Sequence, residues 1–380
     1  MKATGSAKIG SATFRSTSRR ALPARRRARY SLRARVLLAL TALIASLLAA
    51  EASLRVWLHY RQQHRAAQWR EFVLNGRGPT KKGINMAFVD MIVTSRHRDI
   101  IYELIPGLSG RFVNAAVSVN AHGFRGPSIR KDKPEDVYRI IGLGDSVMFG
   151  WGVDDGEEFL QVMQRKLNEH PLPKRVEVLN TAVPGYNTVM EVATLRERCL
   201  DWSPDLVIVD FVDNDYSLPN MIGAAVDYAS LDRSVLWDWL VTSGTQSAGF
   251  APLRKAPSHD GAFVDDPAMA PPEYRHMVGP AAVHRAFGEL LDLSRRHGFG
   301  IAVTTHRRQD TVVADTCHDL DIWLLDAGPA IDRQLKARGG GTYLGSEMTV
   351  SDSDPHPSAL QHRLLGELYA QMLLQTGWIR

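Results

Sequence analysis

The stretch YRIIGLGDS, residues 138–146, decides the fold: a short apolar run bounded by glycine and closed by Gly144-Asp145-Ser146. A run without polar alternation fits a strand covered on both faces, as in a parallel sheet. Working outward, a helical stretch is predicted at 157–169 and a strand at 176–182 (VEVLNTA), followed by a helix at 188–202. A second buried run, LVIVDFV, occupies 206–212; a helix at 281–297 then leads into the strand GIAVTT at 300–305. A weaker strand–helix unit spans 321–337, and a helix at 358–375 closes the chain. Strands alternating with helices of this length predict right-handed crossovers and a parallel sheet with helices on both faces, a three-layer α/β/α domain. Ligands in such sheets bind outside the carboxyl ends of the strands.

Three motifs fall where that rule puts a site. Gly144-Asp145-Ser146 follows the first strand, Asn214 follows the second buried run, and Asp354-Pro355-His356 lies in a late loop. Serine becomes a nucleophile only beside a base, and the base needs an orienting carboxylate. The oxyanion that develops needs fixed donors, for which an Asn amide and backbone N–H groups serve. Taken alone, Ser146 also reads as a helix cap and His356 as a turn residue held by its proline neighbours. The G-x-S-x-G elbow of the α/β-hydrolases is absent.

The string LGDSVMFGWGVDDGEEF resembles block I of the SGNH (GDSL) hydrolase superfamily, whose nucleophile is the serine of GDS; the matching residue is Ser146. LNTAVPGYNT (179–188) resembles the second block, and Gly185 stands where the family's glycine donates a backbone N–H to the oxyanion. FVDNDYS (211–217) resembles the third block, G-x-N-D, which maps the side-chain donor onto Asn214; Val212 replaces the usual glycine. The last block is usually D-x-x-H, but Ser353 lies three residues before His356. Asp354 and Asp352 are both available, and Asp354 is the choice for orienting His356. The resemblance covers residues 137–375 and implies a parallel flavodoxin-like sheet, a catalytic set of Ser146, His356 and Asp354, and an oxyanion hole of the Ser146 and Gly185 N–H groups with Asn214 Nδ2. His362 reads as structural. VNAHGFRGPSIR (119–130) is similar to a stretch preceding the hydrolase domain in membrane-anchored bacterial members; no role follows from its residues.

The N-terminal part places this domain in a cell. Residues 1–35 hold Lys2, Lys8 and nine arginines with no acid, so removing those eleven charges from the net +5 leaves −6 on residues 36–380. The basic balance therefore belongs to a tail, and the body lacks the basic stripe of a nucleic-acid-binding protein. The run at 36–50 (VLLALTALIASLLAA) is uncharged; continued to Leu58 it is long enough to span a bilayer, crossing Glu51 and Arg55 near its far end. We read residues 36–58 as a transmembrane anchor with the basic tail cytoplasmic, which puts the body on the periplasmic side of the inner membrane. A cleaved signal peptide, with Ala50-Glu51-Ala52 as its site, is the alternative.

The remaining layout is a stalk and irregular segment at 59–136, including the strand-like runs IIYEL (100–104) and RFVNAAVSV (111–119), then a hydrolase domain at 137–380. An insertion at 216–280, with the aromatic run SVLWDWL (234–240), reads equally as a binding loop or a solvated excursion. His306, with Arg307 and Arg308, sits at a crevice position after a strand and reads more readily as solvated loop charge than as a substrate contact. Cys199 and Cys317 allow one disulfide or two buried thiols. No zinc spacing occurs, and neither metal nor cofactor is called for.

The expected function is an exported, membrane-tethered serine esterase acting on O-acyl groups, acetyl on a polysaccharide or other carbohydrate, with no nucleic-acid partner. An O-acetyltransferase using the same triad and a non-catalytic cell-envelope binding protein are the alternatives. A metal-dependent phosphoesterase would want D-x-H and G-N-H motifs that this sequence lacks.

Overall fold

Apolar runs and amphipathic helices alternate along the chain, and in the computed structural model they close into one all-parallel sheet covered on both faces. The structure describes residues 31–75, 80–223, 234, 236–237, 253–257, 263–306 and 311–379. Helix α1 (Leu32–Asn75) is followed by five short strands: β1 (Thr80–Met86), β2 (Ile92–Thr94), β3 (Tyr102–Leu104), β4 (Ser109–Phe112) and β5 (Ala115–Ser118). Next come β6 (Val137–Gly144), α2 (Ser146–Phe149), α3 (Phe159–Asn168), β7 (Arg175–Asn180), α4 (Thr188–Thr194) and β8 (Leu206–Asp210). After the small pair β9 (Met221–Gly223) and β10 (Leu253–Lys255), the chain continues through α5 (Pro280–His297), β11 (Gly300–Thr305), α6 (Thr311–Leu320), β12 (Trp323–Asp326), α7 (Gly328–Ala337) and α8 (Ala359–Thr376).

The main sheet has the order β12-β11-β8-β6-β7, all parallel. Counting its strands in chain order gives 2-1-3-4-5, the flavodoxin-like arrangement that the family resemblance implies. Every residue of β6 and β8 is buried. Their side chains alternate between two apolar cores: Ile140 and Ile208 face one, Ile141, Val207 and Val209 the other. Residues of α2, α3, α7 and α8 help build the first core and residues of α5 and α6 the second, while α4 gives Met190 and Ala193 to the first and Val192 to the second. The register sets Gly144 beside Asp210 and Asp210 beside Thr304, so the carboxyl ends of β6, β8 and β11 are level.

Glycine in β6 serves close packing. A Cβ on Gly142 would stand 2.4 Å from Leu160 Cδ1, and one on Gly144 would stand 2.6 Å from Met148 Cβ. Both separations are shorter than side chains tolerate, so the helices after β6 can lie this near the strand only because it lacks side chains there.

Three elements differ from the sequence reading. RFVNAAVSV is a hairpin, not one strand: Val113 and Asn114 both have positive φ (48° and 63°) and turn the chain between β4 and β5. Helix α6, TVVADTCHDL, was not expected, because its β-branched residues and short length hide a helical period. The run predicted as one helix at 188–202 is α-helical only to Thr194, then continues as a π turn and a 3-10 turn to Trp202.

Helix α1 is 44 residues long and continuous, taking in both the predicted span and the stalk. Its section Leu32–Trp57 has a mean hydropathy of 2.0 and none of its most apolar window is buried against the rest of the chain, so by length and composition it can cross a membrane. Glu51 and Arg55, the two charges in that section's far end, pair at 2.7 Å one turn apart. Glu51 Oε2 also accepts from Ser234 Oγ (2.9 Å) and Leu236 N (2.7 Å). Most of the insertion's aromatic run, and Arg307 and Arg308, lie outside the described residues. Cys199 and Cys317 are buried free thiols, pushed up to about 12 by burial.

Candidate active site

The turn after β6 is shaped by the side chain of Asp145. It caps α2, its Oδ1 accepting from Val147 N at 2.8 Å. Its Oδ2 accepts from Asn214 Nδ2 at 3.1 Å, and Ser146 Oγ lies at the same distance from that oxygen. Ser146 is the first residue of that helix, where the backbone N–H has no acceptor within the helix.

His356 reaches the same place from the far end of the sequence. In the tautomer with a proton on Nδ1, its ring donates to Asp354 Oδ1 at 2.6 Å while Nε2 accepts from Ser146 Oγ at 2.9 Å. The loop holding this pair is fixed from within. His356 N donates to Asp354 Oδ1 (3.1 Å), Asp354 N to Ser351 Oγ (3.1 Å), and Val350 N to the His356 carbonyl (2.9 Å). Burial raises the Asp354 pKa, but hydrogen bonds from the His356 ring, the His356 backbone and Trp151 outweigh it and hold the carboxyl below the usual value. Asp352, the other carboxylate weighed from the sequence, is exposed and makes no hydrogen bond among the described residues.

Trp151 was not singled out by the sequence reading. Its ring stacks on His356 at 4.7 Å between centroids and 14° between planes, and its Nε1 donates to Asp354 Oδ2 at 3.0 Å. It lies inside the motif string, five residues past Ser146, yet nothing in its spacing marks it.

The second and third blocks form adjoining loops. Gly185 has φ +76°, and a Cβ there would stand 2.5 Å from Asn220 Cβ, so both backbone and space demand glycine. Its carbonyl accepts from Asn220 N (3.1 Å), while its own N–H carries no hydrogen bond among the described residues. Asn187, fully buried, caps α4 and donates from Nδ2 to the Ser217 and Met277 carbonyls (2.9 and 3.0 Å), tying this loop to the one that bears Asn214. That loop is itself closed by Asp215, whose Oδ2 accepts from Val212 N at 2.9 Å. Val212 is not among the residues with positive φ, so a side chain where the family has glycine meets no backbone strain.

Near these loops lies a cluster of buried carboxyl groups. Glu191, Asp210 and Asp215 are fully buried, and burial is the main cause that raises all three; Asp210 is pushed up to about 8 despite a 2.7 Å hydrogen bond from Thr304 Oγ1. No group of three or more His, Cys, Asp or Glu side chains among the described residues is arranged to hold a metal ion. His306 is buried at the end of β11. His362 is fully buried in α8, where its Nδ1 accepts from Phe159 N (3.1 Å) at the start of α3. Burial, with the Arg125 charge second, lowers its pKa to about 3, so it is a neutral cap.

No family model matches this chain, and no curated protein matches it. Among solved structures it is similar to an acetyl xylan esterase (11% identity, TM-score 0.39, 62% of this chain and 99% of the other). It is also similar to a lipase/acylhydrolase from Enterococcus faecalis (15%, 0.38, 63% and 96%). A third likeness is to a catalytic mutant of an acetylxylan esterase from Geobacillus stearothermophilus (15%, 0.39, 64% and 96%). At these identities and TM-scores the likeness adds nothing to what the strand order and the site distances already show.

Proposed function

We propose that this chain is a serine carboxylic ester hydrolase of the SGNH (GDSL) type, and that Ser146, His356 and Asp354 are its catalytic residues. One observation carries the reading: the line of hydrogen bonds from Ser146 Oγ to His356 Nε2 (2.9 Å) and from His356 Nδ1 to Asp354 Oδ1 (2.6 Å), joining residues 210 positions apart.

The chemistry follows from those contacts. The Ser146 proton passes to His356 Nε2 as Oγ attacks the ester carbonyl, and Asp354 stabilises the imidazolium and keeps its proton on Nδ1. The carbonyl oxygen becomes an oxyanion held by Ser146 N–H, Gly185 N–H and Asn214 Nδ2; each such donor contributes about 3 kcal/mol in the transition state. The imidazolium then gives its proton to the alcohol oxygen as the C–O bond breaks. Water, deprotonated by the same imidazole, attacks the acyl-enzyme and releases the acid and Ser146.

Beside Asp354 opens a cleft of about 390 Å³, with Asn114, Asp154, Glu157 and Ser351 among its lining residues. Apolar Val113, Ala115, Val153 and Val350 share its walls. We assign the substrate class as short acyl esters, acetyl foremost, of carbohydrate, on the resemblance of the sequence motifs. Helix α1 anchors the enzyme in the inner membrane with the catalytic domain on the periplasmic side, as the basic tail dictates.

The test is hydrolysis of p-nitrophenyl acetate and of acetylated oligosaccharides by the full chain in detergent, beside Ser146→Ala and His356→Ala. Turnover lost in both variants is the expected result. Full turnover in Ser146→Ala, or turnover abolished by a chelator, contradicts the reading.

A further inference from the structure

The stretch Val119–Gly126 (VNAHGFRG) has no role in the chemistry above, yet it holds one of the most buried cations in the molecule. Arg125 is 1% exposed. Its Nη1 donates to the carbonyls of Phe149 and of Gly150 (2.7 Å), and its Nη2 donates to the Val153 carbonyl (2.6 Å). Its guanidinium also lies 4.6 Å from the centre of the Phe149 ring and 3.5 Å from Asp155 Oδ1. Burying a guanidinium is costly unless its donors are met; here three backbone carbonyls take the Nη1 and Nη2 donors, while Nε has no hydrogen-bond partner among the described residues.

Those carbonyls belong to the end of α2 and to the loop that follows. A helix of four residues forms too few internal hydrogen bonds to hold itself, and its last carbonyls have no helical partner. Arg125 supplies the donors, and a cation at a helix C-terminus is favourable besides. Between two of the gripped carbonyls lies Trp151, which donates from its backbone N–H to Ser146 O (3.0 Å), stacks on His356 and hydrogen-bonds Asp354.

The rest of the stretch keeps Arg125 in place. Asn120 Oδ1 accepts from His122 N (2.9 Å) and Phe124 N (3.2 Å), which folds the loop on itself. Arg198 Nη2 donates to the His122 carbonyl (2.7 Å) and would stand 3.0 Å from a Cβ on Gly123, whose φ of +81° favours glycine. Arg125 N donates to the Asn180 carbonyl (3.1 Å), and Asn180 Nδ2 donates to the Met148 carbonyl (3.0 Å), so a second path leads to the same helix.

We propose that Arg125 is a positioning residue of the catalytic site, acting through the carbonyls of Phe149, Gly150 and Val153 to fix both Ser146 and the Trp151 ring that orients His356 and Asp354. The proposal rests on the reading of Ser146 as nucleophile. A small displacement of a reacting group costs as much as about 100-fold in rate, while ground-state binding of substrate need not change.

The experiment compares wild type, Arg125→Lys, Arg125→Met and Trp151→Phe as full chains in detergent, by kcat, KM, the pH profile of kcat/KM and thermal unfolding. Lysine keeps the charge but cannot reach three carbonyls with a planar fork. Arg125→Lys is expected to lower kcat about 10- to 100-fold with KM within about threefold, and to shift the limb of the profile set by the general base. Arg125→Met is expected to fall at least as far. Trp151→Phe keeps a ring over His356 but lacks Nε1, and is expected to show the same pH shift with a smaller kcat loss. Wild-type kcat and pH profile in a folded Arg125→Lys overturn the proposal. If both Arg125 variants fail to fold, unchanged kinetics in Trp151→Phe overturn it. Activity retained in Ser146→Ala is a separate result, which removes the reading of the site and this inference with it.

Discussion

The two halves of the site are held in opposite ways. The Asp354–His356 loop is self-contained: its turn is closed by Ser351, by the His356 backbone and by the pairing of Thr349 with Pro357, all within nine residues. The Ser146 turn depends on distant chain. Asp145 ties it to Asn214, Asn180 to the second loop, and Arg125 to the segment ahead of the sheet. Trp151 couples the two halves, its backbone N–H bonded to the Ser146 carbonyl and its ring to His356 and Asp354. A locally closed loop can carry a base at whatever spacing its own turn allows, whereas a short helix must borrow its rigidity. The D-x-H spacing is therefore a local variation, while the Ser146 turn is a property of the whole fold.

The sharpest way to break this comparison lies in the base loop. Asp354→Asn should lower kcat by about 10⁴-fold with little change in folding, because the imidazole loses its tautomer and orientation. Asp352→Asn should leave kcat unchanged, since Asp352 touches neither His356 nor Trp151. Equal losses in the two variants would mean that the loop rearranges and that its local closure is illusory.

A smaller effect is expected on the other side. Asn214→Ala removes the proposed oxyanion donor and should cost about 10²- to 10³-fold in kcat. Asp145→Asn leaves that donor present but unheld, and should cost less than Asn214→Ala with KM little changed. A loss in Asp145→Asn larger than in Asn214→Ala would assign Asp145 chemistry of its own. Either result sharpens how far the nucleophile turn relies on remote partners.

The smallest effect concerns the packing behind both halves. His362 has a pKa near 3 when folded, against 6.5 as a free side chain. The unfolded chain therefore binds a proton that the folded chain refuses, so stability is full above about pH 6.5 and falls as pH drops toward 3. Replacing it in His362→Gln should flatten the dependence of Tm on pH in that window, with activity near neutrality retained. An unchanged slope would show that other groups govern acid unfolding.

What the sequence made legible follows the same division. Strands β6 and β8 announce themselves by unbroken apolar runs, and Ser146, Gly185, Asn214 and His356 stand at turns next to predicted elements. The usual D-x-x-H spacing fits neither Asp354 nor Asp352, and it is the loop geometry that directs Asp354 at His356. Trp151 and Arg125 were not readable as parts of the site. Their partners lie 203 and about 25 positions away with no period connecting them, and a tryptophan after a glycine looks the same whether it packs or positions. The hairpin at β4–β5 was hidden because Val113 is a residue that rarely turns with positive φ.

The most direct measurement is the mass of the active-site peptide after treatment of the full chain with a fluorophosphonate. A single phosphonyl adduct on Ser146, absent from Ser146→Ala and strongly slowed in His356→Ala, is the expected result. An adduct on another residue, or undiminished labelling of Ser146 without His356, contradicts the pairing on which the catalytic reading stands.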